Sequence, residues 1–407
     1  MVFEIRLSNF FSIKDEICLD LRAAKRQSAQ TRSLASNVFN HNKTQLLKSV
    51  AIYGANASGK SNIVKAIQFC IKMILNSHNH NENDTLNFMP YKFDNYDKKP
   101  SCFFIHFVCN DIEYEYSFCV TTSEIITESL YYYPKGRRAL LYERDERKGT
   151  DKKGTYKFAQ ELKRPFDIAN NTSRKTLFLS RASNLGRDWA QNLYRFFNEE
   201  FLFNLNYSVT QETLLTVKDD ILKALRIADF DIVDFQTENV MIPTESVSFT
   251  INGSKTPEIV QKQELVPQLI IKTYHKQNPD IPFNLKIEES EGTRKIFYLM
   301  VVLTEIIKTG KILLIDELDR NLHPLLVKYI VSMFHNSEKA QILFTTHNTN
   351  LLNMKEMRKD QIYFVNKKRD GSSDLYSLFD FKDFRENMDV EKAYMQGRFD
   401  AIPFIAQ

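Results

Sequence analysis

Apolar and polar positions alternate at two different periods along this 407-residue chain, and the changes of period divide it into segments. The opening IRLSNFFSI and EICLDL read as strands. A polar, basic stretch runs on to Lys48. The short apolar run SVAIY then leads directly into GANASGKS, and NIVKAIQFCIKMIL behind it carries its apolar residues at helical spacing. NSHNHNENDT is a polar loop. From about Leu86 to Lys157 the period becomes two. CFFIHFVC, IEYEYSFCV and ESLYYY are dense in aromatic and β-branched residues and predict antiparallel strands. Helical spacing returns in DWAQNLYRFFNEEFLFNL and TLLTVKDDILKALRIADF, without the sustained heptads of a coiled coil. Residues 230–287 read mainly as strand. After them come a helix near Thr293–Lys308, a stop at Gly310, the strand KILLID, a helix, the strand AQILFTT, a further helix and the strand QIYFV. Such a βαβα order argues for a mostly parallel, doubly wound sheet.

Two of these junctions carry chemistry. Gly54, Ala55, Asn56, Ala57, Ser58, Gly59, Lys60 and Ser61 match GxxxxGK[ST], with a strand before and a helix after, and Asn62 follows in the first turn. Glycines let backbone N–H groups wrap phosphates closely, Lys60 supplies a point charge, and the Ser61 hydroxyl is a magnesium ligand. The helix start adds its positive dipole end. The run Ile312–Ile315 ends in Asp316 and Glu317, at the edge where open α/β sheets bind ligands. Asp316 suits the cation and Glu317 suits a general base for the attacking water. Thirty residues further, His347 ends another strand and is a candidate sensor of the γ-phosphate.

Composition narrows the setting. The chain is 43% apolar and 26% charged, as ordinary globular proteins are. It contains no apolar run of membrane-spanning length and no signal-peptide pattern, so a cytoplasmic, membrane-free protein is expected. The five cysteines lack metal-ligand spacing and read as reduced, mostly buried thiols. Net charge is only +4. Residues 135–164, however, hold eleven Lys or Arg against five Asp or Glu, which suits a solvated loop between strands or a patch for phosphate or protein.

Four segments in order, GANASGKS, Glu289-Ser290-Glu291-Gly292-Thr293, ILLIDE and TTHN, resemble the motifs of ABC-type ATPases, in particular the SMC/RecF-like branch. The resemblance implies an α/β P-loop ABC-type head with a mostly parallel sheet, an antiparallel aromatic-rich β segment and a helical insertion. It implies ATP and Mg²⁺ as cofactors, and a homodimer in which Ser290 and Gly292 of one subunit cap the nucleotide held by the other. Glu291 departs from the family's signature segment, and His323 stands where the family's cross-subunit Asp is usual. The expected division is 1–165, 166–275 and 276–407, with the first and last parts forming one composite head. IRLSNFFSIKDE, DELDRNLHPLL, DQIYFV and EKAYMQGRFDAIPFI look like a narrower group of bacterial anti-phage and abortive-infection ATPases, the RloA, AbiL and AriA-like proteins. Members of that group work beside a separate effector, often a toprim-type or RloB-like nuclease. In the related OLD proteins that nuclease follows in the same chain; the 60 residues after His347 lack its acidic motifs, so an effector in another chain is expected. Direct binding of duplex DNA by a repair ATPase is the alternative, and a scaffold with negligible turnover is another. A transporter subunit fits poorly, because Lys60 and Ser290 are 230 residues apart (290 − 60).

Overall fold

The computed structural model describes residues 1–25, 29–149, 151–203, 210–227, 231–250, 258–381 and 388–402. The chain forms two compact units, Met1–Asn204 with Ile306–Gln407, and Leu205–Glu305.

The first unit contains two large sheets. Six strands lie in the order Phe201–Leu202, Ile312–Ile315, Gln341–Thr345, Ser49–Gly54, Ile362–Lys367 and Ser373–Ser377. All pairs are parallel except the last. The central strands are near-continuous apolar runs because a parallel sheet is covered on both faces. Seven antiparallel strands form the other sheet, ordered Tyr156–Phe158, Ala139–Asp145, Ile125–Tyr132, Ile112–Val120, Ser101–Cys109, Val2–Ser8 and Ile17–Asp20. This is the aromatic period-two segment, with the N-terminal strands added at one side.

The helix Lys60–Asn76 shares a single core with both sheets. Its buried residues Ile63, Val64, Ile67, Cys70, Ile71 and Ile74 repeat at three and four, which turns an apolar stripe inward. Helices Phe178–Asn184 and Asp188–Arg195 join the same core. They therefore belong to the first unit and not to a separate insertion beginning at 166. The start of the first of these helices is held by Glu128, a buried carboxylate. It accepts the hydroxyls of Tyr116 (2.8 Å) and Tyr142 (2.6 Å), and the N–H groups of Phe178 (2.6 Å) and Leu179 (3.0 Å).

The second unit is built on a long hairpin, Ile232–Thr250 with Glu258–His275, joined by the strand Asn278–Asn284. Helices Gln211–Thr216 and Lys218–Ile227 precede it. The helical pattern over residues 188–230 partly falls on 204–209 and 228–230, outside the described residues. FNLKIEE leaves strand geometry at Asn284, whose side chain accepts the Lys286 N–H at 3.0 Å and turns the chain.

The expectation of five free thiols is corrected. Cys102 and Cys119 are directly opposed on neighbouring antiparallel strands and form a disulfide; Cys18, Cys70 and Cys109 are free. Spacing along the chain did not reveal the pair, because opposition across a ladder depends on strand register. No helix among the described residues is long and apolar enough to cross a membrane.

Replacing Glu128 with Ala leaves two hydroxyls and two helix N–H groups without their acceptor. The expected cost is about 3–5 kcal/mol, the order found when one member of a buried charged network is removed. A fall in the urea midpoint of the antiparallel sheet's aromatic fluorescence checks it.

Candidate functional site

Three parallel strands end together at one edge of the six-stranded sheet. Register places Ile52 beside Thr345, and Phe344 beside Ile315. The phosphate-loop strand and the acidic strand are thus not neighbours; the strand that leads to His347 lies between them. Adjacent strands are about 4.8 Å apart, so the acids face the loop across roughly 10 Å.

The loop bends as its residues demand. Ala57 (φ +62°) and Gly59 (φ +113°) adopt left-handed conformations. A Cβ on Gly54 would stand 2.5 Å from the Val365 carbonyl oxygen and 2.7 Å from Ser58 Oγ. One on Gly59 would stand 2.0 Å from Ser373 Oγ and 2.7 Å from Ser12 Oγ. Only glycine fits either position. Asn56 and Ala57 are exposed at the loop tip, Ala55 and Ser61 are half-buried, and Lys60 is buried. Lys60 Nζ donates to the carbonyls of Gly54 (2.8 Å) and Ala55 (3.0 Å). Desolvation lowers its pKa, and Asp316, Glu317 and Asp319 oppose that by favouring the ammonium.

The loop is braced from outside by residues the sequence reading missed. Ser373 Oγ donates to the Ser58 carbonyl (2.6 Å), and the Ser373 N–H donates to the Ser12 carbonyl (2.7 Å). Asn62, expected at the nucleotide, donates its amide to Ser12 Oγ at 2.7 Å. Ser12 and Ser373 lie 361 residues apart, so no local signal could have joined them.

Across the edge, Asp316 is exposed and Glu317 half-buried. Thr345 donates its hydroxyl to Asp316 Oδ1 and accepts the Glu317 N–H. Glu317 itself has φ +53°, a left-handed conformation that side-chain-bearing residues rarely hold. Asp319, the third acid of the turn, accepts the His347 N–H at 3.1 Å through Oδ2. Desolvation first, and the Lys60 ammonium second, lower the His347 imidazole pKa, while Asp319, Glu317 and Asp316 oppose the shift. Lys60, Asp316, Glu317 and His347 are in one electrostatic field.

Two buried oxygens at this edge, Ser58 Oγ and Asp319 Oδ1, have no hydrogen-bond partner. Ser58 Oγ can donate and, with the glycine-lined cradle, fits a bound phosphate better than a packed turn; Asp319 Oδ1 can only accept, and suits a water or a cation. Among the described residues no group of three or more His, Cys, Asp or Glu could hold a metal. Magnesium does not need one: Ser61 and Asp316 would supply its protein oxygens, the rest coming from phosphate and water.

Ser290 and Gly292 lie in the second unit, both exposed. Ser290 Oγ accepts the Thr293 N–H at 3.1 Å and so caps the helix Glu291–Thr309. His323 also has a local task, as Nδ1 accepts the Leu325 N–H (3.3 Å) at the start of the helix Pro324–Asn336.

Sheet order, phosphate loop and acidic strand end together define a P-loop ATPase domain. A family model described as "AAA domain, putative AbiEii toxin, Type IV TA system" matches residues 49–353, and the chain belongs to that family. No curated protein matches the sequence. Among solved structures the chain is similar to the SMC head domain from Thermotoga maritima, with 12% identity, TM-score 0.39, and 92% of this chain and 98% of that one covered. It is also similar to an Smc head with an extended coiled coil, bound to the C-terminal domain of ScpA and derived from Pyrococcus furiosus, with 14% identity, TM-score 0.39 and 98% of each chain covered. The fold is established by strand order and loop geometry, not by these superpositions.

Gly59→Ala combines a forbidden φ with a steric clash. It is expected to cost at least about 2 kcal/mol and to abolish binding of a fluorescent ATP analogue, read by thermal melting and by titration. Lys60→Ala is expected to fold normally and to lose nucleotide binding in the same titration.

Proposed function

We propose that this protein binds and hydrolyses ATP with magnesium, dimerises around the nucleotide, and controls a separate effector in bacterial anti-phage defence. The observation that carries the ATPase part is the convergence of Lys60, Asp316, Glu317 and His347 at one sheet edge, set by strand register. In this reading the loop N–H groups and Lys60 hold the β- and γ-phosphates, and Ser61 and Asp316 hold the cation. Glu317 takes a proton from the attacking water, and His347 contacts the γ-phosphate. Magnesium, when bound, neutralises charge on the phosphate oxygens.

The dimer part rests on the exposed capped start of Glu291–Thr309. There a second copy's γ-phosphate would meet Ser290 Oγ, the Gly292 backbone and the dipole end of a 19-residue helix. Hydrolysis removes that phosphate and loosens the pair, a phosphate-biased two-state switch. Effector control is supported by the family's description, which names a toxin–antitoxin system; a toprim or RloB-like nuclease encoded nearby is the partner class proposed.

Direct DNA binding finds less support. In the basic stretch, Arg138 pairs with Glu115 and stacks on Tyr131, Arg147 pairs with Asp145, and Lys148 pairs with Glu143. Arg144 is buried against Glu146, and Lys152 donates to the Thr172 carbonyl. Much of that charge is neutralised within the fold.

Size-exclusion chromatography with ATP and phosphate-release assays test the proposal. Glu317→Gln is expected to cut turnover by at least about 100-fold while accumulating an ATP-bound dimer. Ser290→Arg should still bind ATP but remain monomeric. A Ser290→Arg chain that dimerises and turns over normally removes the composite site. ATPase activity stimulated by duplex DNA, with affinity falling steeply in salt, would favour the repair reading.

A further inference from the structure

We propose that Thr345 is the positioning residue of this site: its hydroxyl sets both the Asp316 carboxylate and the backbone of Glu317. The inference rests on the ATPase reading above and deepens it.

Thr345 ends a strand whose other members, Gln341, Ile342, Leu343 and Phe344, are all buried, and Thr345 is fully buried itself. A hydroxyl there costs free energy unless it is hydrogen-bonded. Three contacts link it to three consecutive residues of the acidic turn. Oγ1 donates to Asp316 Oδ1 at 2.5 Å, Oγ1 accepts the Glu317 N–H at 2.7 Å, and the Thr345 carbonyl accepts the Leu318 N–H at 3.0 Å. A hydroxyl has one proton. Giving it to Asp316 leaves only lone pairs for the Glu317 N–H, so the direction of both bonds is determined.

Each bond has a consequence for chemistry. The first engages one oxygen of Asp316 and leaves Oδ2 as the oxygen available to a cation. The second holds Glu317 at φ +53°. A non-glycine residue stays in that region only where its surroundings over-determine it, and such strain gathers at functional sites. Two residues on, the same strand end makes a second clasp, His347 N–H to Asp319 Oδ2. Thr345 touches neither phosphate nor water in this reading, so it acts through Asp316 and Glu317.

Valine nearly matches threonine in shape but lacks the hydroxyl, and serine keeps the hydroxyl. The full-length chain is tested as wild type, Thr345→Val and Thr345→Ser, by thermal shift with ATP in EDTA, thermal shift with ATP against Mg²⁺ concentration, and phosphate release. Thr345→Val is expected to bind metal-free ATP within about 3-fold of wild type. Its half-saturating Mg²⁺ should rise, and its turnover fall, by about 10–100-fold, as when the outer partner of a metal ligand is lost. Thr345→Ser should stay within about 5-fold of wild type on every measure. If Thr345→Val is insoluble, Thr345→Ala replaces it under the same criteria. A wild-type chain whose melting ignores ATP and Mg²⁺ overturns the ATPase reading and this assignment with it. A responsive wild type beside a Thr345→Val chain with unchanged Mg²⁺ dependence and turnover overturns the assignment alone. So does a Thr345→Ser chain as impaired as the valine variant, because bulk and not the hydroxyl would then matter.

Discussion

The buried ammonium of Lys60 is the charge around which the edge of the parallel sheet is organised. Burial alone would drive the side chain towards neutrality, and a neutral amine has little to offer a triphosphate. Two loop carbonyls accept its protons, and three carboxylates beyond the intervening strand favour its charge. The same ammonium lowers His347. Cation, acids and imidazole therefore depend on one another, and each stands just beyond the end of a parallel strand whose register sets its place.

That arrangement requires strain. Ala57, Gly59 and Glu317, all in the loop or the acidic turn of the proposed site, adopt left-handed conformations. The rest of the first unit compensates. Ser12 and Ser373 brace the loop from the N-terminal segment and the last strand, and the buried helix Lys60–Asn76 ties the loop to two sheets at once. The antiparallel sheet is then more than an appendage: it supplies one wall of the core in which the phosphate-loop helix is fixed.

Much of this was legible in the residues. The glycine spacing of the loop, the apolar run ending in two acids, and the period-two aromatic segment each reflect local demands of backbone geometry or strand burial. Less legible was anything dependent on which strands meet. Helical periodicity at 178–195 looked like part of an insertion, yet those helices join the main core. Cys102 and Cys119 looked like unrelated thiols until the ladder opposed them. Thr345 was visible only as one of two threonines before a histidine, with nothing local to set it apart from its neighbour.

The sequence by itself determined the phosphate loop, the acids and the candidate sensor, because each is a short pattern whose chemistry follows from residue type and spacing. Tertiary structure decided the order of the strands that carry them, with the His347 strand placed between the other two. It also decided the serine brace and the Thr345 clasp. Those contacts join residues up to 361 positions apart, and hydrogen bonds of that kind are specified by sheet register and packing, which no local run of residues encodes.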